Sequence, residues 1–174
     1  ARSDERRSVC SEPRESNPAR IHFCVIDAES VDVQAEIAAV AQQVVAPLGL
    51  RGFTKMLREA EVAGEIRGRM RAMARGCLPE ENPPALSPVV RNLTSFELRW
   101  KLAGAKNSLV RAYHEEPGHP DVVVVRIHRK ETDLPVAKQR ELQNAVMEEG
   151  QRRFVAGEQC QWGHTRACSH CLDP

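Results

Sequence analysis

Three short segments in the second half of the chain alternate apolar and polar residues with the period of two that a β-strand requires. In residues 96–101, Phe96, Leu98 and Trp100 share one face while Glu97, Arg99 and Lys101 share the other. In residues 109–114, Val110 and Ala112 can join the apolar layer opposite Arg111 and Tyr113. In residues 122–128 strict alternation places Val123, Val125 and Ile127 on the apolar side and Arg126 and His128 on the polar side, with Lys130 following in the same parity. The connections 104–108 and 115–120 are short and rich in turn residues, and Pro117 and Pro120 argue against a helix in the second. A meander is therefore expected, with Arg99, Arg111, Tyr113, Arg126, His128 and Lys130 converging on one solvent-facing surface.

Upstream, Ile21, Phe23 and Val25 alternate as a strand over 20–26, followed by the turn or cap candidates Asp27 and Ser30. Residues 31–45 predict a helix with Val33, Ile37, Val40 and Val44 on one side, stopped by Pro47 and Gly49. A second helix over 54–74 sets Leu57, Ala60, Ile66, Met70 and Met73 in one stripe, with Gly64 and Gly68 as weak points and Gly76 as its stop. The two methionines are expected to be core residues. Pro79, Pro83, Pro84 and Pro88 make 77–88 a loop, and Pro135 opens a last helix to about Val146 with Gln139, Leu142 and Val146 on one side. The order is β-α-α-β-β-β-α, an α+β sandwich in which an antiparallel sheet carries its helices on the apolar face. Residues 1–18, polar with two prolines, are expected to be disordered. The folded domain is placed at 19–150 and a Cys/His-rich tail at 151–174.

A chain of 174 residues suits one domain with a useful core. Its net charge of +1 excludes a polycation, yet residues 91–130 hold eight Lys/Arg against four Asp/Glu. Local charge of that sign favours an anion-binding face. No apolar run approaches the ~20 residues that cross a bilayer, and the N-terminus lacks the apolar core of a secretory signal. A cytoplasmic protein is expected, in which Cys10, Cys24 and Cys77 are free thiols.

The element order and three stretches give the chain a family likeness. Phe96-Glu97-Leu98-Arg99, Leu109-Val110-Arg111-Ala112-Tyr113, and residues 123–135 ending Ile127-His128-Arg129-Lys130-Glu131-Thr132-Asp133-Leu134-Pro135 resemble strands of the RelE/HigB toxins, the RelE/ParE superfamily of type II toxin-antitoxin systems. The likeness covers roughly residues 20–150, and 92–146 by motif. It implies a RelE-like small sandwich acting as an mRNA interferase, a ribosome-dependent endoribonuclease that inhibits translation and is neutralised by a cognate antitoxin. Cleavage through the RNA's own 2′-hydroxyl needs a base, cations on the phosphate and an acid for the leaving oxygen. On that reading Arg99 and Arg111 clamp the phosphate, His128 or Tyr113 transfers protons and Lys130 adds charge, while Lys101, Lys106, Arg126 and Arg129 hold RNA. Such chemistry requires no metal. A ParE-like relative would share the architecture and poison gyrase without cutting RNA; Tyr113 and His128 favour the nuclease. His114 falls on the core parity and is expected to be a packed or strand-end histidine and not a catalyst.

The tail offers a separate chemistry. Cys160, His164, Cys168 and Cys171 could give zinc four ligands, although their spacing lacks the middle loop of ordinary zinc modules. A structural zinc knuckle and an unstructured Cys-rich tail are the two expectations. With zinc, the chain could be a binding module on a toxin-like scaffold. A toxin would tolerate truncation after about Gly157.

Overall fold

The three alternating segments form the expected meander. In a computed structural model describing residues 6–14, 16–27, 31–81, 84–89, 94–103, 109–118 and 121–164, β5 (Ser95–Lys101), β6 (Leu109–Gly118) and β7 (Asp121–Arg129) pair antiparallel in that order. Around them lie β1 (Arg20–Phe23), β2 (Val25–Asp27), β3 (Val31–Asp32), β4 (Leu86–Pro88), α1 (Val33–Val45), α2 (Gly52–Ala74) and α3 (Val136–Gly157). The main sheet runs β1-β7-β6-β5-β4, and β2 with β3 makes a separate antiparallel pair. The chain is thus a mixed α+β fold with a five-stranded sheet and three α-helices among the described residues.

Several expectations need correction. The sheet is not wholly antiparallel, because β1 runs parallel to β7, with Ile21 beside Val122 and Phe23 beside Val124. Nor do the helices share one face. Leu98, Trp100, Val110, Ala112 and Ile127 join the buried residues of α1 and α2 in the core, while α3 crosses the opposite face. A Cβ on Gly150 of α3 would lie 3.2 Å from Val125 Cγ2 and 3.9 Å from Tyr113 Cβ. A β-bulge explains the closeness: Tyr113 pairs with Arg126 but His114 with Val124, so Val125 is an extra residue. Parity reverses upstream of the bulge, placing Val122 and Val124 with the core and Val123 and Val125 beneath α3.

Local chemistry adjusts other boundaries. Asp32 rather than Asp27 caps α1, its carboxylate accepting from Gln34 N at 2.9 Å, which stabilises such an end by about 1 kcal/mol; Ser30 lies outside the described residues. Val25 leaves the first strand for the β2–β3 pair. Within the expected loop 77–88, β4 pairs Leu86 with Leu98. On α2 Met70 and Met73 are buried as expected, but Leu57 and Ala60 face solvent. Helix α3 runs through residue 150 to Gly157, so the expected boundary of the tail falls inside it.

The N-terminal segment, expected to be disordered, is anchored over residues 6–14. Cys10 is buried, Glu116 accepts from the Ser8 hydroxyl and from Val9 N, and Arg6 stacks over the Phe96 ring at 4.4 Å. Gly76, left-handed at φ 64°, ends α2 where any side chain would strike the Glu12 carbonyl. Among the described residues no helix is long and apolar enough to cross a membrane.

Candidate functional site

Cross-strand register brings the expected residues into two rows on one face. Arg99, Arg111 and His128 are direct partners across β5, β6 and β7, as are Glu97, Tyr113 and Arg126. The grouping read from alternation is correct, but its exposure is not. Tyr113 is 1% exposed, and Arg111 and Glu97 are 7% exposed, because α3 lies across them and Gln143 donates to Glu97 Oε2 at 3.4 Å. A charge cannot stay there alone. Arg111 Nη1 accordingly sits 2.6 Å from Glu97 Oε1, and the Tyr113 ring stacks on His128 with centroids 5.8 Å apart.

Where α3 diverges from the sheet, a cavity of about 310 Å³ opens between α1, the end of β7 and α3. Its wall includes Arg126, His128, Arg129 and Lys130 from the sheet side, Glu36 and Gln43 from α1, and Gln139 and Gln143 from α3. Arg126 is paired with Glu36, which also accepts from Arg153 at 2.5 Å and from Ile127 N at 2.8 Å. Arg129 is 3.2 Å from Glu131. Lys130 has no ion-pair partner among the described residues; burial, then Arg111 and Arg99, push its amine down, with Glu97 opposing. Of the cations at the cavity it is the one left to meet an incoming anion.

His128 is held neutral. Burial comes first among the causes, and Arg111, Arg126 and Lys130 add to it against the Arg129 carbonyl, so the imidazole is pushed down to about 4. Its Nδ1 lies 3.2 Å from that carbonyl, which can only accept, so Nδ1 carries the proton. The Nε2 lone pair remains, buried and without a partner among the described residues. Burial and the neighbouring Glu97 push the Tyr113 phenol up to about 12, with Arg111 and Gln143 opposing. Tyr113 therefore supports the His128 ring and is a poor proton carrier.

The remaining expected residues lie elsewhere. Arg99 donates from Nε to the Pro84 carbonyl at 3.0 Å, on the β4 side. Lys101 is exposed at the end of β5. Lys106 lies outside the described residues, as do Cys168 and Cys171. Cys160 Sγ donates to Gly157 O at 3.3 Å, and His164 Nε2 donates to Phe23 O at 2.6 Å. Among the described residues no three His, Cys, Asp or Glu side chains gather where they could hold a metal ion. His114 is a fully buried histidine stacked on Phe96, as expected.

Sequence reasoning missed Glu36, Gln143 and Arg153. Glu36 meets Arg126 across 90 residues of chain, a distance over which no local pattern carries information. Glu97 was legible on the polar face, but its pairing with Arg111 follows only from the register. No family model, no curated protein and no solved structure matches this chain.

Proposed function

We propose that the cavity beside β7 binds an RNA phosphodiester and that the chain cleaves RNA in the manner of a RelE/HigB toxin. The observation that carries this reading is Lys130, without an ion-pair partner among the described residues, beside a neutral His128 that lines the cavity and whose buried Nε2 lone pair has no partner among those residues. In the proposed step the RNA 2′-hydroxyl gives its proton to His128 Nε2 and its oxygen attacks phosphorus. The P–O5′ bond then breaks, and the Lys130 ammonium protonates the departing oxygen, leaving a 2′,3′-cyclic phosphate and a 5′-hydroxyl. A bound phosphate offsets the field of Arg111, Arg126 and Lys130, which raises the proton affinity of His128 when a base is needed. Arg111 acts through position and field, sealed behind His128. An antitoxin and ribosome-bound mRNA are the partners this reading requires.

One observation favours a second reading. Arg111 and Tyr113 are locked beneath α3, as they would be in a scaffold that binds without cleaving, including a ParE-like gyrase inhibitor. Inducing the chain in a bacterial host and following growth and mRNA ends tests both. Wild type should arrest growth and cut mRNA, and Lys130→Ala and His128→Ala should each lower cleavage by about 10²-fold or more with unchanged circular dichroism. Arrest with intact mRNA sinks the nuclease in favour of the second reading, and cleavage that survives both substitutions removes this cavity as its site.

A further inference from the structure

The cavity beside β7 also holds a backbone edge that a phosphate at Lys130 does not use. β1 ends at Phe23, opposite Val124, so from Val125 onward β7 has no strand beside it on that side. Lys130 N donates to Leu109 O at 2.7 Å and His128 pairs with Arg111, which turns the backbone groups of the other parity, Ile127 and Arg129, away from β6. Each therefore presents its N–H and C=O to the open edge. Glu36 takes Ile127 N at 2.8 Å, and His128 Nδ1 takes the Arg129 carbonyl at 3.2 Å. The other two groups, Ile127 C=O and Arg129 N–H, stand side by side, one acceptor and one donor. Both residues line the cavity, with Ala39 from α1 and Leu142 from α3. Ala39 is exposed and Leu142 is 38% exposed, so these helices leave apolar surface in water beside a polar strand edge.

We propose, resting on the phosphate reading of Lys130, that this slot takes the base of an unpaired RNA nucleotide between Ala39 and Leu142 and reads its Watson–Crick edge through Ile127 C=O and Arg129 N–H. Every nucleobase carries a hydrogen-bond donor beside an acceptor on that edge, adenine as N6–H₂ beside N1, and unstacked bases are recognised there. A single base fits the volume of about 310 Å³, and covering Ala39 and Leu142 adds apolar burial. Charge selects a nucleotide over other flat ligands. Among the lining residues the Arg126–Glu36 and Arg129–Glu131 pairs cancel, which leaves Lys130 as the net charge. A base paired in a duplex has this edge occupied, so the site is specific for single strands.

Calorimetric titration of the full chain separates base from phosphate. Adenosine 3′-monophosphate should bind at least about tenfold more tightly than ribose 5-phosphate, which has no base. Its 1-deaza analogue, lacking the acceptor for Arg129 N–H, should bind about fivefold more weakly than its parent. Ala39→Leu fills the slot from an exposed helix position and should bring adenosine 3′-monophosphate down to the level of ribose 5-phosphate, with unchanged circular dichroism. Lys130→Ala should weaken both ligands alike. Equal Kd values for the two ligands in the wild type overturn the base slot, and a 1-deaza analogue as tight as its parent overturns the reading of its edge. If the gap between the ligands persists but Lys130→Ala changes neither Kd, the base slot stands and the phosphate reading falls. Binding of neither ligand overturns both.

Discussion

Two faces of the same three strands, one residue apart in sequence, are both withdrawn from water and are held by different physics. On one, Leu98, Val110, Ala112 and Ile127 join a continuous apolar core, where stabilisation grows with area at about 25 cal/mol per Å² and needs no particular partner. On the other, Glu97, Arg111, Tyr113 and His128 lie beneath α3, where each group depends on a named neighbour. Their burial gives little net stability, because desolvating an ion pair roughly cancels its attraction. What the polar face holds instead is a fixed geometry behind the Lys130 cavity.

The difference should show in how each face fails. Glu97→Ala strands the Arg111 charge and is expected to destabilise by about 3–5 kcal/mol, whereas Leu98→Ala loses about 2–5 kcal/mol through a cavity. The faces separate in the double replacements. Glu97→Leu with Arg111→Met should lose less stability than Glu97→Ala alone, while Leu98→Ala with Val110→Ala should lose more than either single change. Urea unfolding midpoints report both. If Glu97→Ala costs less than about 1 kcal/mol, the pair is solvated and the contrast fails.

A smaller effect tests the cover. Gly150 allows α3 to approach Val125 and Tyr113, so Gly150→Leu should lift the helix at about 1–3 kcal/mol. Tyr113 is the single tyrosine, so its ionisation can be followed by absorbance alone. The phenol, pushed up to about 12 in the native protein, should fall toward the ordinary value near 10 in Gly150→Leu. An unchanged titration would mean that α3 does not seal this face.

Alternation made the strand rows legible because side-chain direction along a strand is a local property. The bulge at Val125 was not, since an inserted residue leaves no mark in composition. The cover by α3 had one signal, the uninterrupted run Val122-Val123-Val124-Val125, which suits a strand buried on both faces better than a half-exposed one. The helix itself hides that role. Its buried residues are Gly150 and Gly157, and it meets the sheet partly through Gln143 and Arg153, so its apolar stripe is too faint to announce a packing face. Cavity residues close in sequence, Arg126 to Lys130, were found. Glu36 and Gln143 enter only through tertiary packing.

The subtlest test is the pH dependence of the polar face, since its apolar counterpart does not titrate. His128 is pushed down to about 4 when folded, against an ordinary value near 6.5 when unfolded. Between those values the unfolded chain binds the extra proton, so this residue's contribution to stability is complete above about pH 6.5 and declines as pH falls toward about 4. Removing the titration with His128→Leu should flatten that part of the stability curve, and the gap between the two curves should stop widening below about pH 4. Inorganic phosphate sharpens the result. If an anion enters beside Lys130, it offsets the cations that disfavour imidazolium, so the native His128 should take up its proton at higher pH and the wild-type slope should shrink while that of His128→Leu stays put. A wild-type slope indifferent to phosphate would place the anion elsewhere and leave the cavity a feature of packing.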